Sequence, residues 1–184
     1  MNLIVAVSSD WGIGRDGDLL FRVSEDLKRF RRLTLGKTIV MGHNTFKSLP
    51  GSKPLGGRRN IVLSRQAGLV IPGVTVCGSP EEVSDILARQ PAEDIFIIGG
   101  EMIYRAFLGK CSLAYVTKIQ ANPPADAFMP NLDDLPEWVL AEESEEMMFE
   151  GGIYRYCLYR TAQTIPLHGS DISTPESVAT KSVN

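Results

Sequence analysis

Four short apolar runs constrain this chain more than any other feature. Residues 3–7 (LIVAV), 38–41 (TIVM), 60–64 (NIVLS) and 94–98 (DIFII) are continuous and rich in β-branched side chains rather than alternating. A strand buried on both faces reads this way, and such strands belong to parallel sheets covered by helices. The intervening sequence agrees. Leu27, Phe30 and Leu33 recur at helical spacing between Ser24, placed as an N-cap, and Gly36. Gly42-His43-Asn44-Thr45 opens a short helix that must stop before Pro50. Ser79-Pro80-Glu81-Glu82 starts another, with Ser as N-cap and Pro first, turning Val83, Ile86 and Leu87 inward. Gly99-Gly100 leads into a helix whose apolar face is Met102, Ile103 and Phe107. Residues 74–77 form a short extra strand in this reading, and 113–119, 138–142 and 152–160 form later ones with few helices between them. The expected architecture is an α/β single domain. It has a central, mostly parallel twisted sheet with an antiparallel C-terminal strand pair and flanking helices. Residues 10–18, with three glycines, read as a loop.

Composition bounds the function. The 184 residues, 43% hydrophobic, suffice for one domain with a substantial core. The net charge of -3 offers no global attraction for nucleic acid or an anionic membrane. No run approaches the ~18 apolar residues of a membrane span, and the first residues lack a basic n-region. Cys77, Cys111 and Cys157 show no metal-ligand spacing and read as reduced core thiols of a cytoplasmic protein. His43 and His168 are too far apart in sequence to suggest a metal centre, so none is expected. From about residue 163 the chain turns to Ser, Thr and Pro with few large apolar residues. A catalytic domain over 1–162 and a polar tail over 163–184 are therefore expected.

Asp26 is the group that most invites chemistry. It precedes Phe30 by one helical turn and shares its face, at the edge of the apolar stripe rather than beside Lys28 and Arg32. A carboxylate there either helps the helix start or recognises something cationic. Gly42-His43-Asn44-Thr45 and Gly99-Gly100-Glu101 both join a buried strand to a helix. Such junctions offer free N–H groups to an anion, though they are also ordinary in α/β folds. The GxGxxG fingerprint is absent, because Trp11-Gly12-Ile13-Gly14 lacks the third glycine. Arg58 precedes a strand where it could clamp a carboxylate or simply be solvated, and Ser64-Arg65 closes that strand with the same ambiguity toward phosphate.

Taken in order, these pieces resemble the dihydrofolate reductase family, from residue 3 to about 159. The matching segments are Trp11-Gly12-Ile13-Gly14, Asp26 with Phe30, and Val40-Met41-Gly42-His43-Asn44-Thr45-Phe46-Lys47-Ser48-Leu49-Pro50. Gly57-Arg58-Arg59-Asn60-Ile61-Val62-Leu63-Ser64, Ile97-Ile98-Gly99-Gly100-Glu101-Met102-Ile103-Tyr104, Tyr115-Val116-Thr117-Lys118-Ile119 and Asp126-Ala127-Phe128-Met129-Pro130 follow. The resemblance implies hydride transfer from NADPH to C6 of dihydrofolate, with water delivering the proton to N5. It implies a catalytic set of Asp26, Thr117, Phe21 and Leu19. Asp26 would pair with the N3 and 2-amino side of the pterin, with the Thr117 hydroxyl supporting it. Ile4, Val5, Ala6, Leu27, Phe30, Leu49, Ile98 and Tyr104 would line the substrate pocket, and Arg58 would hold the glutamate α-carboxylate. Ala6, Ile13, Gly14, Gly42, His43, Asn44, Thr45, Leu63, Ser64 and Arg65 would contact the cofactor. So would Gly99, Gly100, Glu101, Met102, Ile103 and Tyr104, with a cis Gly99–Gly100 peptide. Residues 9–23 would form a flap over the nicotinamide, latched by Asp126. A monomer that also binds antifolate inhibitors is implied.

This chain departs from the family's pattern in three places. Leu20-Phe21 stands where Pro-Trp is common, so the aromatic wall loses an N–H donor. His43 replaces an arginine facing the 2′-phosphate, with Arg65 as a compensating charge, and the NADPH preference is expected to be pH-sensitive. Leu19, Leu20, Phe21 and Val23 fall where inhibitors touch, so altered antifolate (trimethoprim) affinity is expected. A pyrimidine reductase of riboflavin synthesis resembles this fold too, but has no use for Asp26 paired with Arg58. A pterin carrier without turnover would have no use for the flap.

Overall fold

The computed structural model describes residues 1–162. The tail expected over 163–184 lies outside the described residues. Strands β1 (Asn2–Val7), β2 (Gly12–Arg15) and β3 (Asp18–Leu19) precede helix α1 (Ser24–Thr34). Then come β4 (Thr38–Gly42), α2 (His43–Ser48), β5 (Arg59–Leu63), β6 (Val74–Cys77) and α3 (Pro80–Leu87). They are followed by β7 (Ile95–Gly99), α4 (Glu101–Phe107), β8 (Leu113–Ile119) and β9 (Ala127–Phe128). The last are β10 (Trp138–Glu143), β11 (Met147–Phe149) and β12 (Gly152–Thr161).

The main sheet runs β10-β12-β8-β1-β7-β4-β5-β6, with β11 on β12. Pairings from β8 through β6 are parallel, and β12 is antiparallel to both β8 and β10. Both the fold class and the antiparallel end match the sequence expectation. The four apolar runs are the central strands because each is covered on both faces. Leu3, Val5 and Val7 pack with Ile103 and Phe107 of α4 and Val83 and Leu87 of α3. Ile4, Ile39, Met41 and Phe96 pack with Phe30 and Leu33 of α1. This alternation along β1 is the period-two pleat of a strand.

The chain reverses direction across the sheet at β1 and β7. From β1 the chain moves through α1 to β4, and from β7 it moves back through α4 to β8. α1 and α4 therefore lie on opposite faces, and a crevice opens outside the C-terminal ends of β1 and β7. The two strands pair only at Asn2–Phe96 and Leu3–Ile97 before parting.

Four local expectations need correction. Ser24 does not cap α1: it is the first helical residue, and Val23 holds the cap position without a side-chain bond. Leu27 stays about half exposed at 47%, so the apolar stripe of α1 joins the core only toward Leu33. Residues 10–18 are not a plain loop. β2 pairs with β3 and β9 in a small antiparallel sheet, turning at Asp16 and Gly17, both with positive φ. Two left-handed residues are what a tight hairpin requires. Met102 is also exposed, leaving Ile103, Tyr104 and Phe107 as the buried face of α4. The Ser79 cap on α3 is as expected, accepting from the Glu82 N–H at 3.2 Å. Among the described residues, no helix is long and apolar enough to cross a membrane.

Candidate active site

The crevice between β1 and β7 is floored by main chain and walled by α1. Asp26, in the first turn of α1, is partly buried and points toward β8. There the Thr117 hydroxyl donates to Asp26 Oδ1 at 2.5 Å. Thr117 is 1% exposed and stands beside Ala6 in the β1–β8 ladder. Burial pushes the Asp26 carboxyl above its ordinary value, opposed by the Thr117 hydrogen bond and by the charge of Arg29. Tyr104 of α4 donates its hydroxyl to the Ile4 carbonyl at 2.9 Å, just past the last β1–β7 pair. Burial raises the Tyr104 pKa, so its hydroxyl stays a donor.

The apolar wall is assembled from three elements. Phe30 and Leu49 pack on the cluster of Ile4 and Phe46, which Ile98 also joins. Phe21 and Ala6 pack with Val23, Ile119 and Tyr154. Leu19 is 50% exposed. Arg58 leans over Phe30, 5.8 Å from ring centre to guanidinium, and donates to the Thr34 hydroxyl at 3.2 Å. A cation is thereby fixed at the far end of the α1 wall from Asp26.

Two strand–helix junctions meet beside the crevice. A Cβ on Gly42 would lie 3.1 Å from the Ile103 side chain and 3.9 Å from the Gly100 nitrogen. One on Gly100 would meet the Thr45 hydroxyl at 3.2 Å. Gly99 has φ +115, and the Gly99–Gly100 peptide is cis. The glycines thus let the starts of α2 and α4 pack closely against each other, which brings two helix N-termini together in a glycine-lined cradle, a pairing that suits a pyrophosphate. Beside it, a shallow cavity of about 260 Å³ is lined by Ser64, Arg65, Gln66, Gly78 and Glu82. Arg65 is exposed there, and His43 and Asn44 begin α2.

The segment expected to form the flap is tied to Asp126 by two hydrogen bonds. Asp126 Oδ2 accepts from the Asp16 N–H at 2.8 Å, and the Asp126 N–H donates to the Gly14 carbonyl at 3.1 Å. Ile13 and Gly14 are therefore held by the segment that Asp126 begins.

Some expected residues stand elsewhere. Val5 turns into the core on the α3 and α4 face, so only its main chain lies near the crevice. Leu63 is likewise in that core. Glu101 accepts from the Phe128 N–H at 3.0 Å and pairs with Arg105, so its carboxylate fastens β9 while its main chain begins α4 at the junction. Val23, expected to touch inhibitors, is 4% exposed under Tyr154 and Ile119. One residue near Asp26 escaped the sequence reading: Arg29, whose spacing of three from Asp26 places it on the same face.

A family model for dihydrofolate reductase matches residues 1–162. A dihydrofolate reductase of Mycobacterium leprae is 45% identical over 143 residues, covering 76% of this chain and 84% of its own length. One from Mycobacterium tuberculosis is 39% identical over 163 residues, covering 86% and 95%. A solved structure of dihydrofolate reductase from Enterococcus faecalis, complexed with NADP(H) and RAB-propyl, superposes with a TM-score of 0.76 at 27% identity. That alignment covers 88% of this chain and 95% of the other. With the paired Asp26 and Thr117 at the mouth of β1 and the glycine cradle beside them, this chain belongs to the dihydrofolate reductase family.

Proposed function

We propose that Asp26, supported by Thr117, is the carboxylate through which this chain carries out the NADPH-dependent reduction of 7,8-dihydrofolate to 5,6,7,8-tetrahydrofolate. The observation that carries the assignment is the Thr117–Asp26 bond, which places a carboxylate with one free oxygen at the crevice. That oxygen pairs with the amino side of a pterin. NADPH, when bound, supplies the hydride that reaches C6. The chain supplies orientation, exclusion of water and the Asp26 carboxyl. Asp26 stabilises the ring while N5 takes up its proton from water. Phe30, Leu49, Ile4 and Ile98 cover the apolar body of the substrate, and Arg58 binds the carboxylate at its end.

The glycine cradle at Gly42 and Gly100 holds the pyrophosphate. Arg65 and His43 meet the 2′-phosphate, and Ile13 and Gly14 close over the nicotinamide under the Asp126 latch. Every residue in this reading lies within 1–162 of one chain, which supports a monomeric enzyme with a single catalytic domain. Leu19, Leu20 and Phe21 line the approach where antifolates would also bind.

The test is the loss of absorbance at ~340 nm with NADPH and dihydrofolate, for wild type and Asp26→Asn. The variant keeps the shape and removes the charge. Hydride transfer should fall at least tenfold, about 1.4 kcal/mol of barrier or more. An unchanged rate and pH profile would remove Asp26 from its role.

A further inference from the structure

Arg29 is the one charged side chain beside Asp26 to which the reading above gives no task. Its guanidinium lies 4.1 Å from the ring centre of Tyr156 and 5.7 Å from that of Tyr115. Its Nη1 is buried without a hydrogen-bond partner. It forms no ion pair within 4 Å with Asp26, yet the two share a helix face one turn apart. Arg29 is only partly buried, but leaving its Nη1 out of water without a hydrogen bond is costly. The two rings return part of that cost through their negative faces and fix the plane of the guanidinium.

We propose that Arg29 is a positioning residue for the reaction: a cation clamped by Tyr156 and Tyr115 that biases Asp26 toward its charged form and so lowers the pH above which turnover falls. This rests on the assignment of Asp26 as the carboxylate of the site.

The surroundings leave few rivals for that role. Asp26 is faced by Thr117 from β8, Tyr156 from β12, Tyr104 from α4 and Arg29 from its own helix. Arg29 is faced by Tyr115 and Tyr156 and, along α1, by Asp26 and Arg32. Arg29 is thus the only cation acting on Asp26 in this set. Burial works against its charge and Asp26 works for it, and it stays protonated throughout the range in which the enzyme acts. Its field in a partly buried site reaches a neighbour one turn away.

The test is single-turnover hydride transfer with NADPH and dihydrofolate from about pH 5 to 9, the range over which a shifted carboxyl titrates. The enzymes compared are wild type, Arg29→Met, Arg29→Lys, Asp26→Asn and the double variant Asp26→Asn/Arg29→Met. With the cation gone, the proton is held to higher pH, so the midpoint of the decline in Arg29→Met should rise by roughly half to one pH unit. Arg29→Lys keeps the charge and should stay near wild type. Arg29→Met should not lower the melting temperature, and Arg29→Gln serves as a second neutral variant if it does. Equal loss of rate at every pH, with no shift of midpoint in either neutral variant, would make Arg29 merely structural and overturn the proposal. A shift that persists in full in the Asp26→Asn background would also overturn it, because the cation would then act without Asp26. Full activity in Asp26→Asn alone is a separate failure, that of the Asp26 assignment.

Discussion

Thr117 Oγ1 donates to Asp26 Oδ1 at 2.5 Å across 91 residues of sequence, tying the first turn of α1 to the centre of β8. The bond favours the ionised carboxylate. Thr117→Val keeps the shape and removes the donor. We expect kcat/KM for dihydrofolate to fall by about tenfold, the scale of one hydrogen bond to a charged group. The pH at which activity declines should move up, because a carboxylate that loses a donor holds its proton longer. Steady-state assays across pH check both. An unchanged profile would mean that the hydroxyl matters only for packing.

Asp26 also sets a stability expectation. Its folded-state pKa is raised by burial, above the ordinary value near 3.8. Between those two values the folded state binds more protons than the unfolded chain, so stability falls as pH rises through the window. Whatever Asp26 contributes is fully present below about pH 3.8 and lost above its folded pKa. Asn does not titrate. Asp26→Asn should therefore melt at a higher temperature than wild type near pH 8, with the difference shrinking toward pH 4, roughly the unfolded value. Calorimetry at several pH values checks this. A variant less stable than wild type at alkaline pH would contradict it.

The central sheet was legible because its strands are buried on both faces and so lose the polar alternation that would mimic surface sequence. The small sheet was not. β2 is Gly-Ile-Gly-Arg and β3 is two residues long, so neither offers a hydrophobic pattern, although Asp16-Gly17 is a hairpin signal in its own right. At the site, Asp26 stood out as an acid on an apolar stripe. Its bond to Thr117 was reached only through the family resemblance, because nothing local joins positions 26 and 117. Arg29 was missed because a charged residue between Lys28 and Phe30 reads as a solvated face. Only the fold brings Tyr115 and Tyr156 over it. The task of the Glu101 side chain was not legible either: its carboxylate anchors the Phe128 N–H, a partner 27 residues away.

Tyr104 is 3% exposed and donates to the Ile4 carbonyl where β1 leaves β7. Tyr104→Phe would strand that carbonyl at the floor of the crevice. Loss of one partner of a buried bond costs about 1–3 kcal/mol. Urea unfolding should show that loss in stability. Hydride transfer should slow as well, because the freed carbonyl would compete for the substrate or shift the strand. Unchanged stability would indicate that another donor had replaced the hydroxyl.

Asp126 joins the flap to β9 through the Asp16 N–H at 2.8 Å and the Gly14 carbonyl at 3.1 Å. Only the first bond uses the side chain, so Asp126→Ala should leave β2–β9 pairing in place and loosen the tip around Asp16. The bond is exposed, which limits its worth to about 1 kcal/mol. The melting temperature should barely move. Hydride transfer depends on how much of the time the flap covers the nicotinamide. A loss of closure on that scale should slow single-turnover reduction by roughly three- to tenfold. NADPH should also dissociate faster, measurable by competition in stopped flow. If the rate and the dissociation are both unchanged, the flap is held by β2–β9 pairing alone and Asp126 is not its latch.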